Sequence, residues 1–310
     1  LPPHQGKQLF AAVTDSLKAA DLTFCNLEGP LADGGTPAKE CKNPANCYIF
    51  RTPTSYIQNL VSAGFDFVSV ANNHARDFGI AGFQSTAHVL DSVGIAHSGK
   101  VGDVASLKVK NKKIAMVAFA PYDGLNDLLN MTRAEGRIRY LKREFDLVIV
   151  SFHGGAEGSR YLHVPDSMEV YFGEKRGHLR QFAHRVIDAG ADLVLGHGPH
   201  VPRALEIYKK RLIAYSLGNF CTYGKFNLKG SNGLTYILKV NIKPDGQFQR
   251  GQIIPGLQIG SGIPEFDPTG QVIKLIKRLS KADFPKTAPM IDDSGKISLP
   301  VGEIFTETVN

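Results

Sequence analysis

No apolar run in this 310-residue sequence approaches the ~20 residues that a membrane-spanning helix needs, and no charged-then-apolar segment opens the chain. As given, it reads as a soluble domain, with any export or anchoring signal lying outside it. Cysteine is scarce: four residues are too few for a disulfide scaffold. Cys41 and Cys47 share a Pro/Asn/Lys-rich loop and would close a short bridge in an oxidising compartment, with two free thiols as an even alternative. Cys25 and Cys221 read as small core residues. Zinc-finger spacing and RNA-binding aromatic signatures are both missing. A formal charge of +7 and a pI near 9.1 favour an anionic partner. The basic residues are scattered, however, and the clusters Lys110–Lys113 and Lys209–Arg211 sit where hairpin turns are expected. That argues against nucleic acid and leaves phosphate, a polycarboxylate or a lipid headgroup.

What the chain does contain is a repeated unit: a helix-like segment, an aspartate, an apolar run and a polar tip. Asp21 leads to Asn26-Leu27-Glu28, Asp66 to Asn72-Asn73-His74, Asp146 to His153-Gly154-Gly155, and Asp192 to His197-Gly198-Pro199-His200. Near-continuous apolar runs suit strands buried on both faces of a parallel sheet. Ligands collect beyond the carboxyl ends of such strands, so the tips are expected to converge. Helices are expected over 9–20, 54–63, 80–93, 126–145, 174–189 and 269–282, several closed by Gly. Basic or Pro-Asp-Gly turns mark hairpins near 110, 210 and 245. The stretch 30–52 is long enough for a functional excursion or lid. The predicted architecture is α/β, a sandwich of two mixed sheets flanked by helices in one domain, with a tail from 256 to 310 that has no clear place.

Imidazole, carboxylate and amide oxygen at strand ends are the ligand types of a site for one or two borderline divalent metals such as zinc, manganese or iron. Asn26, Glu28, Asn73, His153, His197 and His200 are the candidates, and the lack of thiolates argues against structural zinc. Each also has a plain reading. Asn73-His74 can be an ordinary turn, His153 a satisfied buried histidine, and Glu28 a helix-start carboxylate. The two glycines after His153 would leave backbone room for a ligand. His88, His97, His163, His178 and His184 read as structural.

Asn26-Leu27-Glu28-Gly29-Pro30, Ala71-Asn72-Asn73-His74 with Asp77 and Gly79, Phe152-His153-Gly154-Gly155, and Gly196-His197-Gly198-Pro199-His200 leading to Tyr215-Ser216-Leu217-Gly218-Asn219-Phe220 together resemble the bacterial CapA family of poly-γ-glutamate capsule biosynthesis proteins. The likeness covers roughly residues 1–255. That family is related to the calcineurin-like metallophosphoesterases, which implies a four-layered β-sandwich flanked by helices. It also implies that Asn73 is a metal-ligating Asn, His74 the general acid beside it, with Glu28 and Asn72 in the catalytic group, and His153 an isolated ligand. His197 and His200 resemble a closing Gly-His-x-His pair, although two residues separate them here, so only His197 transfers directly. The family's opening strand with its Gly-Asp is expected shortly before Leu1. An extracytoplasmic or membrane-associated location is implied, with membrane-bound capsule synthesis proteins as partners.

Three functions follow from these readings. The first is a metal-dependent hydrolase of a phosphoester or γ-glutamyl amide, with Glu157, Arg160 and Arg203 meeting an anionic substrate. The second is a non-catalytic surface protein that binds an acidic polymer for capsule synthesis or export. The third, a nucleic-acid phosphodiesterase, fits the pI but lacks a basic stripe.

Overall fold

Three parallel strands, β1 (Phe24–Asn26), β2 (Phe67–Ser69) and β3 (Ala96–Ser98), form the first sheet in that order in the computed structural model of the chain, which describes residues 1–38, 48–224 and 226–300. The crossovers carry α2 (Ile57–Ala63) and α3 (Gly79–Ser92), while α1 (Thr14–Lys18) precedes β1. Parallel pairing requires such crossovers, since a two-residue turn cannot return a strand to the same direction.

The second sheet is larger. A hairpin of β4 (Ala105–Val109) and β5 (Lys112–Phe119) leads through α4 (Met131–Glu144) to β6 (Leu147–His153). A small separate hairpin follows, β7 (Glu169–Tyr171) with β8 (Glu174–Gly177), then α5 (Leu179–Asp188), β9 (Leu193–His197) and the hairpin β10 (Leu205–Tyr208)–β11 (Arg211–Ala214). Six of these strands align in the order β10-β11-β9-β6-β5-β4. Both basic turns hold their central residues in the left-handed region: Lys110 and Asn111 at φ 45° and 66°, Lys209 and Lys210 at 47° and 59°. Such mirror-image turns match the twist of the strands that they join.

The repeated aspartates have a physical purpose. Asp66, just before β2, accepts the backbone N–H of Thr23 at 2.7 Å. Asp146, before β6, accepts that of Lys113 at 2.7 Å, and Asp192, before β9, that of Val148 at 2.9 Å. Each clamps the entrance of its own strand to its neighbour's. Asp21 differs, pairing instead with Lys110.

The third sheet contains β12 (Leu234–Ile242), β13 (Phe248–Ile259), β14 (Ile263–Phe266), β15 (Met290–Ile291) and β16 (Lys296–Ser298), all antiparallel. Between β14 and β15, α6 (Gln271–Asp283) buries Val272, Ile273, Ile276 and Leu279 in the same apolar cluster as β6 and β9. To the same cluster α5 contributes Leu179, Phe182, Val186 and Ile187, with the Phe182 ring edge-on to Phe119 and Phe152. The expected α/β fold with flanking helices is therefore what the chain forms, with three main sheets in place of two, of which the second alone mixes parallel and antiparallel pairs. Among the described residues, no helix is long and apolar enough to cross a membrane.

Three expected helices are shorter than their patterns, the 126–145 segment being helical over α4 alone. The 9–20 segment is helical only over α1. In 174–189 the first four residues are a strand, because Phe172 and Gly173, at φ 47° and 79°, turn the chain back on β7. Helix begins only after His178, whose side chain accepts the N–H of Gln181. The Cys41–Cys47 pairing lies outside the described residues.

Gly196 sits inside β9, where an added Cβ would lie 2.4 Å from the Tyr215 carbonyl oxygen and 2.5 Å from the tip of the Phe152 ring. Gly196→Ala is expected to lower stability by about 1–3 kcal/mol, the usual cost of overpacking, as read by urea denaturation. An unchanged midpoint would mean that the two neighbours give way freely.

Candidate functional site

His153 and His197 are Cα partners across β6 and β9, so both imidazoles leave the sheet at the same carboxyl edge. The Phe24 ring of β1 lies 5.5 Å from that of His197, which joins the first sheet to the second at this point. Within the first sheet, Asn72 donates to Leu27 O at 2.8 Å and Asn26 Oδ1 at 3.4 Å, and its own Oδ1 accepts the N–H of His74. All four tips meet. Asn72 itself is a brace, its amide nitrogen committed to the Asn26–Leu27 tip and its oxygen to the backbone of its own.

The glycines at the tips serve the backbone. Gly154 N–H donates to His197 O at 2.8 Å, and a Cβ on Gly198, at φ 113°, would come within 2.5 Å of Gly154 O. A Cβ on Gly154 would likewise meet the Arg176 carbonyl at 2.5 Å. The room expected for a ligand is filled by adjacent chain.

Charge is arranged around two histidines. His74 is buried, with Nδ1 held by Asp77 Oδ2 at 2.7 Å and Nε2 3.9 Å from Glu28 Oε1. His200 adopts φ 60°, hydrogen-bonds Asn219 Oδ1 through Nδ1 at 2.9 Å, and sets Nε2 3.7 Å from Glu28 and 3.9 Å from Glu157. Burial pulls the His200 pKa down, but the two carboxylates and Asn219 more than reverse this, leaving it above its ordinary value. His153 and His197 go the other way. Burial, then the charge of His200, holds His153 well below the usual imidazole range and brings His197 to about 3, so both are neutral donors at pH 7. Burial pushes the Cys25 and Cys221 thiols up to about 12, which suits inert packing residues.

The residues expected at a substrate are distributed differently. Arg203 is fully buried; it grips both oxygens of Glu169 at 3.0 and 2.9 Å and donates to the carbonyls of Tyr161 and Ala156. It cannot reach a substrate, because its whole fork is used inside the fold. Arg160 is exposed on the loop. Glu157 pairs at 2.8 Å with Arg176, a residue the sequence reading missed because it lay in a presumed helix. Arg176 also pairs with Glu174, lies over the rings of Tyr122 and Tyr171, and adds positive charge beside His153 and His200. His97, His163 and His184 each have a carboxylate partner, and His178 caps α5, all in keeping with structural tasks.

A cleft of ≈ 890 Å³ runs from the site between β1 and β12, with Asn26, Glu28, His197 and His200 at one end and Leu195, Leu238 and Val240 further along. Several buried polar atoms at the tips have no hydrogen-bond partner among the described residues: Glu28 Oε1, Asn73 Oδ1, both ring nitrogens of His153 and His197 Nε2. Orphaned donors of this kind are costly unless something else meets them. Neutral imidazoles, an amide oxygen and a carboxylate fit a borderline divalent ion in kind. Within the same described residues, no three His, Cys, Asp or Glu side chains already converge as a cluster able to hold one.

The family model of the bacterial capsule synthesis protein PGA_cap matches residues 2–223. PGA biosynthesis protein CapA of Bacillus subtilis (strain 168) is 29% identical over 251 residues, covering 75% of this chain and 62% of that protein. Capsule biosynthesis protein CapA of Bacillus anthracis is 27% identical over 234 residues, covering 68% and 53%. The chain thus spans less than two thirds of the length of these relatives. A solved structure of a hypothetical protein from Thermus thermophilus superposes with a TM-score of 0.41 at 20% identity, covering 69% of this chain and 72% of that one. Because the matched region takes in every strand tip from Asn26 to Asn219, the chain belongs to the bacterial capsule synthesis protein PGA_cap family.

Proposed function

We propose that this is a CapA-type protein of poly-γ-glutamate capsule synthesis, with a metal-dependent hydrolase site that acts on a phosphoester or a γ-glutamyl amide. The observation that carries the reading is the set of buried ligand atoms on Glu28, Asn73, His153 and His197 that make no hydrogen bond among the described residues, beside an imidazole fixed by a carboxylate. Those four residues would hold one or two ions of zinc, manganese or iron, and Asn26, 3.5 Å from Glu28 Oε2, steadies that carboxylate. The bound metal supplies an activated water and charge for a developing oxyanion. His74, anchored at Nδ1, turns Nε2 inward and in its protonated form donates a proton to the leaving oxygen of a phosphoester or the leaving nitrogen of a γ-glutamyl amide. His200 and Arg176 offer positive charge to an anionic substrate. The working domain extends to about residue 255, with 256–300 packed on it as an extension.

The second reading, a non-catalytic protein that binds an acidic polymer beside membrane-bound synthesis partners, is favoured by the net charge of +7. An extracytoplasmic or membrane-associated setting suits both. Metal analysis of the purified protein, together with a panel of phosphoesters and γ-glutamyl peptides, separates them. The hydrolase reading expects bound metal and turnover of at least one substrate class. Absence of both would leave polymer binding.

A further inference from the structure

The excursion after Pro30 comes back to the fold along a fixed path. Thr52 N–H donates to Pro30 O and Ala32 N–H to Thr52 O, each at 2.9 Å, while Thr54 binds the Asp33 carboxylate through both its N–H and its hydroxyl. This return lays the Phe50 ring on the His74 imidazole, with centroids 4.0 Å apart and planes 29° from parallel. The backbone N–H of the same residue donates at 2.7 Å to Asp77 Oδ2, the oxygen that also holds His74 Nδ1. Phe226 packs on the other side, its centroid 5.8 Å away. Gly29, at φ 98°, makes the approach possible: a Cβ there would lie 2.7 Å from that of Phe50.

We propose that Phe50 is a positioning residue that fixes the ring plane and tautomer of His74, gripping both members of the His74–Asp77 pair from one point in the loop. The functional consequence rests on the hydrolase reading; the positioning does not. An imidazole hydrogen-bonded through Nδ1 can still tilt about that bond, because the torsion at its sp² ring is soft. A stacked aromatic face removes that freedom and keeps water from one side of the ring. Nδ1–H is then directed at Asp77, and Nε2 is left facing Glu28.

The test uses the chain labelled with ¹⁵N at histidine, read by two-bond ¹H–¹⁵N spectra at fixed pH. His74 should give one set of signals, with Nδ1 carrying a proton whether or not Nε2 does. In Phe50→Ala, which keeps the backbone bond to Asp77, its signals should broaden or average between tautomers. Turnover of bis(p-nitrophenyl) phosphate should fall about 10- to 100-fold in kcat, the scale of a small misplacement, with KM little changed. Phe50→Tyr retains the stack and should restore both readouts. Phe50→Leu keeps bulk without the aromatic face and takes over if the alanine variant does not fold. An unaltered His74 signature in the alanine or leucine variant overturns the proposal. If the unmodified protein hydrolyses no substrate, the hydrolase reading fails, and the tautomer signature still decides the positioning role.

Discussion

Arg203→Ala should lower the unfolding free energy by about 3–5 kcal/mol, the usual cost of stripping one partner from a buried ion pair. Glu169 would keep a charge in the interior with, among the described residues, the Ala156 N–H as its remaining hydrogen-bond donor. The carbonyls of Tyr161 and Ala156 would also lose their donor, which loosens the loop after His153 from the segment that leads into β10. Lysine cannot substitute, since a single ammonium has no planar fork for a bidentate carboxylate. Removing both charges, as in Arg203→Met with Glu169→Leu, should recover part of the loss because no ion is then stranded. Urea denaturation of the single and double variants reads these differences. If the alanine variant loses less than about 1 kcal/mol, the pair is not the buried anchor described here.

His74→Ala is expected to reduce turnover by about 10²–10⁴-fold, the range for loss of a general acid, while leaving bound metal unchanged. His197→Ala should instead deplete the metal. The difference follows from where the nitrogens point. One nitrogen of His74 is tied to Asp77, so its orientation is set by the protein alone. His197 Nε2 is buried and has no protein partner among the described residues, so an external ligand is the natural claimant. Metal analysis and single-turnover rates on the two variants give independent readouts. Loss of metal from the His74 variant removes the acid assignment, and an absence of effect from both changes leaves the polymer-binding reading in its place.

Apolar runs ending in polar tips were legible because strand burial writes itself locally, and the pairing of His153 with His197 followed from parallel strands; Asn26 joins them through the packing of the first sheet on the second at Phe24 and His197. Turn chemistry placed the Lys110 and Lys209 hairpins for the same reason. Contacts between distant segments were not legible. Arg203 looked like a free cation because its partner, Glu169, lies 34 residues away in a loop without periodicity. Arg176 was hidden by the run of helix-forming residues around it, which the turn at Phe172 and Gly173 overrides. Phe50 had no signal at all. An aromatic residue in an aperiodic loop declares its target only once the loop is folded.

The aspartate clamps stand at the strand entrances, whereas the candidate chemistry stands at the exits. Along β6, seven residues separate the two, about 20 Å of extended chain. A slip of one residue would turn every buried side chain to the wrong face, and the clamps guard against that from the far end. Side chains at the exits can therefore be exchanged without loosening the phase of the strands beneath them. A lineage built on this sheet can inherit its scaffold unchanged while trading one set of tip residues, and one activity, for another.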